Sequence, residues 1–138
     1  MEQVFAAEAT IAAPRDEVWA LLTDWSRAGE WMDGVDVLAA DGPVGAGTTL
    51  TFTTRGRDRC STILDATAAE SLTIRSVLRG VTADYVYVLE DAQDGTRVSL
   101  VATCATKGMQ RLLGPVIKDA MRRTDSRQLE ALRVLLEG

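Results

Sequence analysis

The sequence predicts one α+β domain over residues 1–138, in which a long C-terminal helix covers a curved antiparallel sheet of seven strands. Three observations support this fold class. Short segments with alternating apolar residues, separated by turns, fill positions 35–105 and are typical of antiparallel strands. A helical spacing of apolar residues follows Pro14. Residues 115–136 keep an apolar stripe at helical spacing, and the whole chain has the length of one domain.

The N-terminal part predicts one strand followed by two short helices. Residues 4–11 are rich in β-branched and aromatic side chains, which favour a strand. Pro14 ends that strand and suits the first turn of a helix. Asp16 and Glu17 then lie where the positive helix N-terminus favours acidic side chains. We expect residues 14–32 to form two short helices arranged as a V.

Six further strands are predicted between the short helices and the long helix. Asp94-Gly95 indicates the turn of the last hairpin. Because the connections are short, neighbouring strands are expected to pair antiparallel. The six strands are predicted at 35–40, 48–54, 59–67, 71–78, 82–90 and 96–105.

The pairing of the last hairpin can be inferred from its apolar pattern. If Leu89 faces Val98, then Tyr87 faces Leu100 and one face of the hairpin becomes apolar. A slip of one residue would expose all these side chains, so this register is favoured. Strand 59–67 stays ambiguous, because its two faces are similarly apolar. The same inner face is expected to carry Leu72, Ile74, Ser76, Tyr85, Ala102 and Cys104.

The C-terminal region predicts a long helix that begins irregularly. Residues Met109–Leu113 form a first turn or two, and a kink is expected at Gly114-Pro115. A curved sheet covered by a single helix leaves a space between them. The stripe that faces the sheet is predicted to contain Ile117, Ala120, Met121, Thr124, Gln128, Ala131, Leu132 and Leu135.

Composition excludes several classes of function. The net charge of −5 disfavours nucleic acid as a partner, because phosphate binding relies on Lys and Arg. No segment reaches the roughly 18 apolar residues of a membrane helix, so no membrane insertion is expected. The N-terminus has no basic region followed by an apolar run, so we expect no signal peptide. Two cysteines without such a signal predict a reducing, cytoplasmic location.

The residue types also limit the chemistry. The chain contains no histidine, which removes the Ser-His-Asp triad, the Cys-His pair and the commonest general base. Cys60 and Cys104 form no CxxC pair, so no zinc site is expected. Gly42, Gly45 and Gly47 lack the pattern of a phosphate-binding loop. We therefore predict no metal and no cofactor, and no catalytic set can be identified.

Four segments carry a family resemblance: TIAAPRDEVWALLTDWSRAGEW, the Gly-rich loop before a strand, DGTRVSL, and KGMQRLLGPVIKDAMRRTDSRQLEALRVLLEG. Together they resemble the START-like (Bet v 1-like, SRPBCC) helix-grip superfamily, and most of all its bacterial polyketide cyclase/dehydrase group. The resemblance covers nearly the whole chain. It implies a helix-grip fold in which the sheet encloses a hydrophobic cavity with the C-terminal helix. It transfers no catalytic residues, because one fold hosts many activities.

A ligand pocket should be mostly apolar with a few convergent polar groups. Simple core packing explains the apolar candidates equally well. A buried phenol needs a hydrogen-bond partner, either in the protein or on a ligand. The candidates are Leu50, Phe52, Ile74, Ser76, Tyr85, Tyr87, Leu100 and Cys104 on the sheet, Met109, Leu113, Ile117, Met121 and Thr124 on the helix, and Trp25 and Trp31 at the mouth.

Three functions stay open at this point. The first is binding of a lipid-, polyketide- or aromatic-like hydrophobic small molecule in the cavity. The second is a polyketide cyclase or dehydratase that uses cavity Tyr, Ser and Thr groups, although no inward carboxylate is predicted and Asp84 is expected to face outward. The third is a protein-interaction domain of the chaperone-activator type. A monomer or weak homodimer would suffice, and Arg55, Arg57 and Arg59 form either a solvated face or the rim of an opening.

Overall fold

A computed structural model describes residues 1–138, except for the side chains of Met109 and Gln110. It contains one antiparallel sheet in the order β1-β7-β6-β5-β4-β3-β2. The strands are β1 Glu2–Ile11, β2 Val35–Ala40, β3 Thr49–Thr54, β4 Arg57–Thr67, β5 Ser71–Leu78, β6 Val81–Ala92 and β7 Gly95–Thr106. The helices are α1 Arg15–Leu22, a 3-10 helix at Trp25–Glu30, a second 3-10 helix at Gly108–Leu113, α2 Gly114–Asp125 and α3 Gln128–Glu137.

The predicted fold class is confirmed, including the two short helices after the first strand. The second of these is a 3-10 helix of six residues. The long C-terminal helix is also present, and a turn at Ser126-Arg127 divides it into α2 and α3. The expected irregular start is the 3-10 helix that precedes Gly114, and Pro115 occupies the first turn of α2, where its missing N–H costs nothing.

The predicted register of the last hairpin is confirmed. Leu89 pairs with Val98 and Tyr87 pairs with Leu100. Strand β4, which the sequence left ambiguous, turns Ser61 and Ile63 inward, and both are buried. A bulge between Ile63 and Asp65 then shifts the pairing with β5.

The core lies between one half of the concave face and the helices. Helix α3 packs against β1 and β7, and α2 also packs against β1. The side chains of Ile11, Val98, Leu129 and Leu132 are almost completely buried there. Burying a side chain of this kind stabilises a fold by about 1.5–3 kcal/mol. The half of the concave face formed by β3 to β6 adjoins open space instead.

Candidate functional site

A cleft separates the concave face of the sheet from α2. Its deep part has a volume of about 210 Å³ and opens into a wider outer part of about 1450 Å³. Phe52, Ser76, Tyr85, Thr124 and Asp125 line both parts, so the two form one continuous space. The deep part is lined by Met32, Asp33, Val35, Leu38, Leu50, Phe52, Thr54, Ser61, Ile74, Ser76, Tyr85, Tyr87, Thr124, Asp125 and Gln128.

Eight of the sequence-predicted site residues line this cleft. They come from β3, β5 and β6 on the sheet side and from α2 on the opposite side, as the alternation and the helical stripe predicted. Their role in binding stays a prediction, since no ligand is present. The eight are Leu50, Phe52, Ile74, Ser76, Tyr85, Tyr87, Met121 and Thr124.

The other candidates lie elsewhere in the described structure. Leu100 and Cys104 on β7 face inward as predicted, but they are buried in the core beyond the cleft. Ile117 packs against the same core. Leu113 is half exposed and lines neither part of the cleft. The side chain of Met109 lies outside the described residues.

The expectation that Trp25 and Trp31 close the mouth is wrong for Trp31. Trp31 is only 3% exposed and belongs to the core, where its ring meets the ring of Tyr87 edge-on with centroids 6.2 Å apart. Trp25 is partly buried against the same core. Neither tryptophan is among the residues that line the described cleft. Within the described residues, the Nε1 atoms of both rings are buried without a hydrogen-bond partner.

A hydrogen-bonded network closes the inner end of the cleft. The Tyr85 hydroxyl donates to Oδ2 of Asp125, and the Tyr87 hydroxyl donates to Oε1 of Gln128. The two halves are joined because Nε2 of Gln128 donates to Oδ1 of Asp125 across 3.2 Å. Both phenols, whose partners the sequence left undecided, therefore have partners within the protein. Each also faces the deep part of the cleft.

Asp125 is the functional candidate that sequence reasoning missed, and the prediction that no carboxylate faces inward was wrong. Burial raises the pKa of Asp125, although its hydrogen bonds from Tyr85 and Gln128 oppose that shift. The signal was its position four residues after Met121, because residues at that spacing share a helix face. Burial, together with the nearby Asp125 carboxylate, also raises the pKa of Tyr85 and of Tyr87, so both phenols stay protonated donors.

Ser61 and Ser76 form a second polar pair on the cleft wall. Their hydroxyl oxygens lie 2.6 Å apart on the paired strands β4 and β5. Asp84, by contrast, faces the outer side as predicted. Its carboxylate accepts two hydrogen bonds from the Arg75 guanidinium, at 2.7 and 2.8 Å. This pair belongs to the outer surface of the sheet, away from the cleft.

The described part of the chain contains neither a cluster of metal-ligating side chains nor a membrane-spanning helix. No group of three or more His, Cys, Asp or Glu residues there is placed to hold a metal ion. Among the same residues, no helix is both long and apolar enough to cross a membrane.

A seven-stranded antiparallel sheet that grips a C-terminal helix over an apolar cleft defines a START-like, Bet v 1-like helix-grip protein. The family model described as polyketide cyclase / dehydrase and lipid transport matches residues 2–137. The chain therefore belongs to that family. A search of curated protein sequences finds no match to this chain.

Solved structures show the same fold at low sequence identity. The di-domain ARO/CYC BexL from the BE-7585A biosynthetic pathway is 14% identical with a TM-score of 0.77, over 97% of this chain and 50% of that one. A protein from Thermus thermophilus is 19% identical with a TM-score of 0.74, over 96% and 95%. Ara h 8.0201 is 17% identical with a TM-score of 0.68, over 96% of each. The chain spans about half the length of the di-domain ARO/CYC structures.

Proposed function

We propose that this protein binds an apolar small molecule in the cleft between the sheet and α2. The supporting observation is the unfilled deep part of about 210 Å³, which Leu50, Phe52 and Ile74 line with apolar surface. Protein interiors normally pack without voids much larger than a water molecule. This space equals the liquid volume of about seven waters. Apolar walls with a few convergent polar groups are the usual make-up of a ligand pocket.

The size of the deep part limits what enters it. An apolar cavity of about 150 Å³ can hold benzene, so the deep part accommodates one ring-sized group of the ligand. The rest of the molecule lies in the outer cleft. The Thr124 hydroxyl and the Tyr85–Asp125 pair line both parts and can orient a ligand oxygen at the junction.

The binding proposal is tested with the neutral fluorescent probe N-phenyl-1-naphthylamine, whose emission rises in apolar surroundings. Ser76→Phe fills the cleft from β5, and Thr124→Phe fills it from α2. The matched control Thr73→Phe adds a similar ring to the outer face of β5, because strand side chains alternate. We expect at least tenfold weaker probe binding in both cleft variants and no change in the control. Equal binding in all folded variants would contradict the proposal.

The Asp125–Tyr85 pair favours a second candidate function, which is proton transfer next to a ligand carbonyl. A carboxylate of raised pKa takes up a proton readily, and a phenol can hydrogen-bond the carbonyl oxygen as negative charge develops on it. In such a step the single O–H of Tyr85 turns from Asp125 to the ligand carbonyl oxygen, which frees the Asp125 carboxylate to remove the α-proton. The electron pair of the C–H bond then forms the enolate, whose oxygen accepts the Tyr85 hydrogen bond. This chemistry is common to aldol-type cyclisation and dehydration.

This second candidate can be tested without knowing the substrate. The α-hydrogens of 2-tetralone, an apolar bicyclic ketone, exchange with D2O when a base removes them, and NMR follows the exchange. We expect the protein to accelerate exchange above buffer, and Asp125→Asn to abolish the acceleration. Exchange at the buffer rate would refute the proton-transfer role and leave the binding proposal intact. The unfilled cleft offers no support for the third alternative, a surface-mediated interaction domain.

We also propose a cytoplasmic location and a monomer or weak homodimer. Cys60 and Cys104 are free thiols, which suits a reducing compartment. One chain supplies the whole lining of the cleft, so ligand binding needs no second subunit. Cell fractionation and sedimentation of the purified protein test these two proposals.

A further inference from the structure

Positive charge is concentrated at the outer end of the cleft, on the hairpin that joins β3 to β4. In that hairpin Arg59 pairs with Phe52, and Arg57 pairs with Thr54. These pairs continue the row in which Leu50 faces Ser61, so Arg57 and Arg59 lie on the concave face of the sheet. Both arginines line the outer cleft, together with Arg55 from the hairpin turn.

These arginines lack the carboxylate partners that seven of the ten other arginines have in the described structure. Arg75 is paired with Asp84, Arg97 with Glu90 and Arg133 with Glu130. Among the described side chains, none of the three cleft arginines forms a salt bridge, and the one hydrogen bond from Arg59 goes to the backbone carbonyl of Asp58. The chain carries an excess of acidic residues, with a net charge of −5. Unpaired guanidinium groups in the cleft of an acidic protein are therefore available to an anion.

Three carboxylates also line the cleft, and their positions determine how an anion would lie. Asp58 stands between Arg57 and Arg59 in the chain but pairs with Thr53, so its side chain alternates to the other face of the hairpin. Asp125 is held by Tyr85 and Gln128 at the inner end. Asp33 is exposed where the chain enters β2. An anionic group would be repelled from the inner end and attracted to the β3–β4 hairpin.

We propose that the natural ligand is an amphipathic anion, with its apolar body in the deep cleft and a carboxylate or phosphate group at Arg57 and Arg59. This inference rests on the proposed binding function and specifies its ligand class. A guanidinium group matches both oxyanions through paired N–H···O hydrogen bonds. Arg59 is half-buried beside Phe52, so its charge is screened less than that of a fully exposed arginine.

Competition against N-phenyl-1-naphthylamine tests the inference with three ligands of equal chain length: 1-decanol, decanoate and decyl phosphate. We expect at least one anion to displace the probe at about tenfold lower concentration than decanol. The double variant Arg57→Gln/Arg59→Gln should remove this advantage without changing displacement by decanol. The double variant Arg97→Gln/Arg133→Gln, at two arginines outside the cleft that pair with Glu90 and Glu130, is the control for the same change in net charge and should keep the advantage.

The outcomes separate the inference from the proposal on which it depends. A preference for decanoate identifies a carboxylate ligand, and a preference for decyl phosphate identifies a phosphate. If decanol displaces the probe as well as both anions do, or if the advantage survives in Arg57→Gln/Arg59→Gln, the inference is wrong while the binding function stands. If the probe does not bind, or if none of the three ligands displaces it, the binding function fails and the inference falls with it.

Discussion

Tyr87→Phe is the substitution that tests the polar network at the inner end of the cleft. It removes only the hydroxyl that donates to Oε1 of Gln128. Tyr87 is 1% exposed and Gln128 is 6% exposed, so both side chains are shielded from bulk solvent, and only water held in the deep cleft could replace the lost donor. The ring remains, and with it the edge-on contact with Trp31. Any loss of stability then reports the hydrogen bond rather than packing.

The expected loss follows from the burial of the acceptor. Leaving a buried acceptor without a donor costs about 1–3 kcal/mol, whereas replacing both partners by apolar groups of similar shape is nearly neutral. Gln128→Met removes the acceptor but also frees Asp125 from its bond to Nε2 of Gln128. The stability change of Gln128→Met alone therefore includes the loss of two hydrogen bonds, one from Tyr87 and one to Asp125. The double variant, compared with both single ones, isolates the Tyr87–Gln128 pair.

The assay is urea unfolding of the wild type, both single variants and the double variant. We expect Tyr87→Phe to lower the free energy of unfolding by about 1–3 kcal/mol, and the pair to show a coupling energy of about 1–2 kcal/mol. The dependence on urea concentration should stay unchanged, which would show that the change lies in stability alone. A coupling energy near zero would refute the hydrogen bond between these side chains.

Three further predictions concern single positions. Gly95→Ala should destabilise the protein by more than about 2 kcal/mol, because the added Cβ would lie 2.0 Å from the Ile11 carbonyl oxygen. Gly45→Ala is the control and should be nearly neutral, since nothing in the described structure lies within 4 Å of its Cβ. Thermal unfolding measures both. The raised pKa of Asp125 stabilises the native wild type at low pH, and this contribution is lost as pH rises from 3.8 through the raised pKa. Asn cannot titrate, so the stability of Asp125→Asn relative to the wild type should increase over that pH range. Trp31→Phe should cost less than about 1 kcal/mol in urea unfolding, since the indole N–H has no partner to lose among the described residues, whereas Trp31→Ala should cost about 3–5 kcal/mol.

The sheet was predictable from the sequence because alternation determines which face each side chain occupies. The register of Leu89 with Val98 followed from the apolar pattern alone and is confirmed. Strand β4 was not decided by the same reasoning, because its two faces are similarly apolar. Burial of Ile63 rather than Leu64 resolves it, and the bulge that follows Ile63 is not encoded in any alternating pattern.

The site was only partly predictable, because the strand pattern shows which side chains lie on the concave face but not which of them border the cleft. Leu100 and Tyr87 share the concave face and pair directly, yet only Tyr87 borders open space. The difference depends on how far the helices extend over the sheet, which no local pattern specifies. Asp125 was overlooked because an acidic residue between Arg123 and Arg127 resembles the solvated side of a helix. Its hydrogen bond to Tyr85 joins residues 40 positions apart in the chain.

The helices cover only one half of the concave face, so the residues that stabilise the fold are largely different from those that line the cleft. Leu129 and Leu132 are buried where α3 packs on β1 and β7, whereas the cleft lies beside β3 to β6. Substitutions such as Ser76→Phe can therefore change binding while the main core remains. A ligand that binds only the native state still adds stability, about 2.7 kcal/mol at 100 times its Kd. That gain is as large as the expected loss in Tyr87→Phe, so a retained ligand would mask the missing hydrogen bond, and the double-mutant cycle must be measured on ligand-free protein.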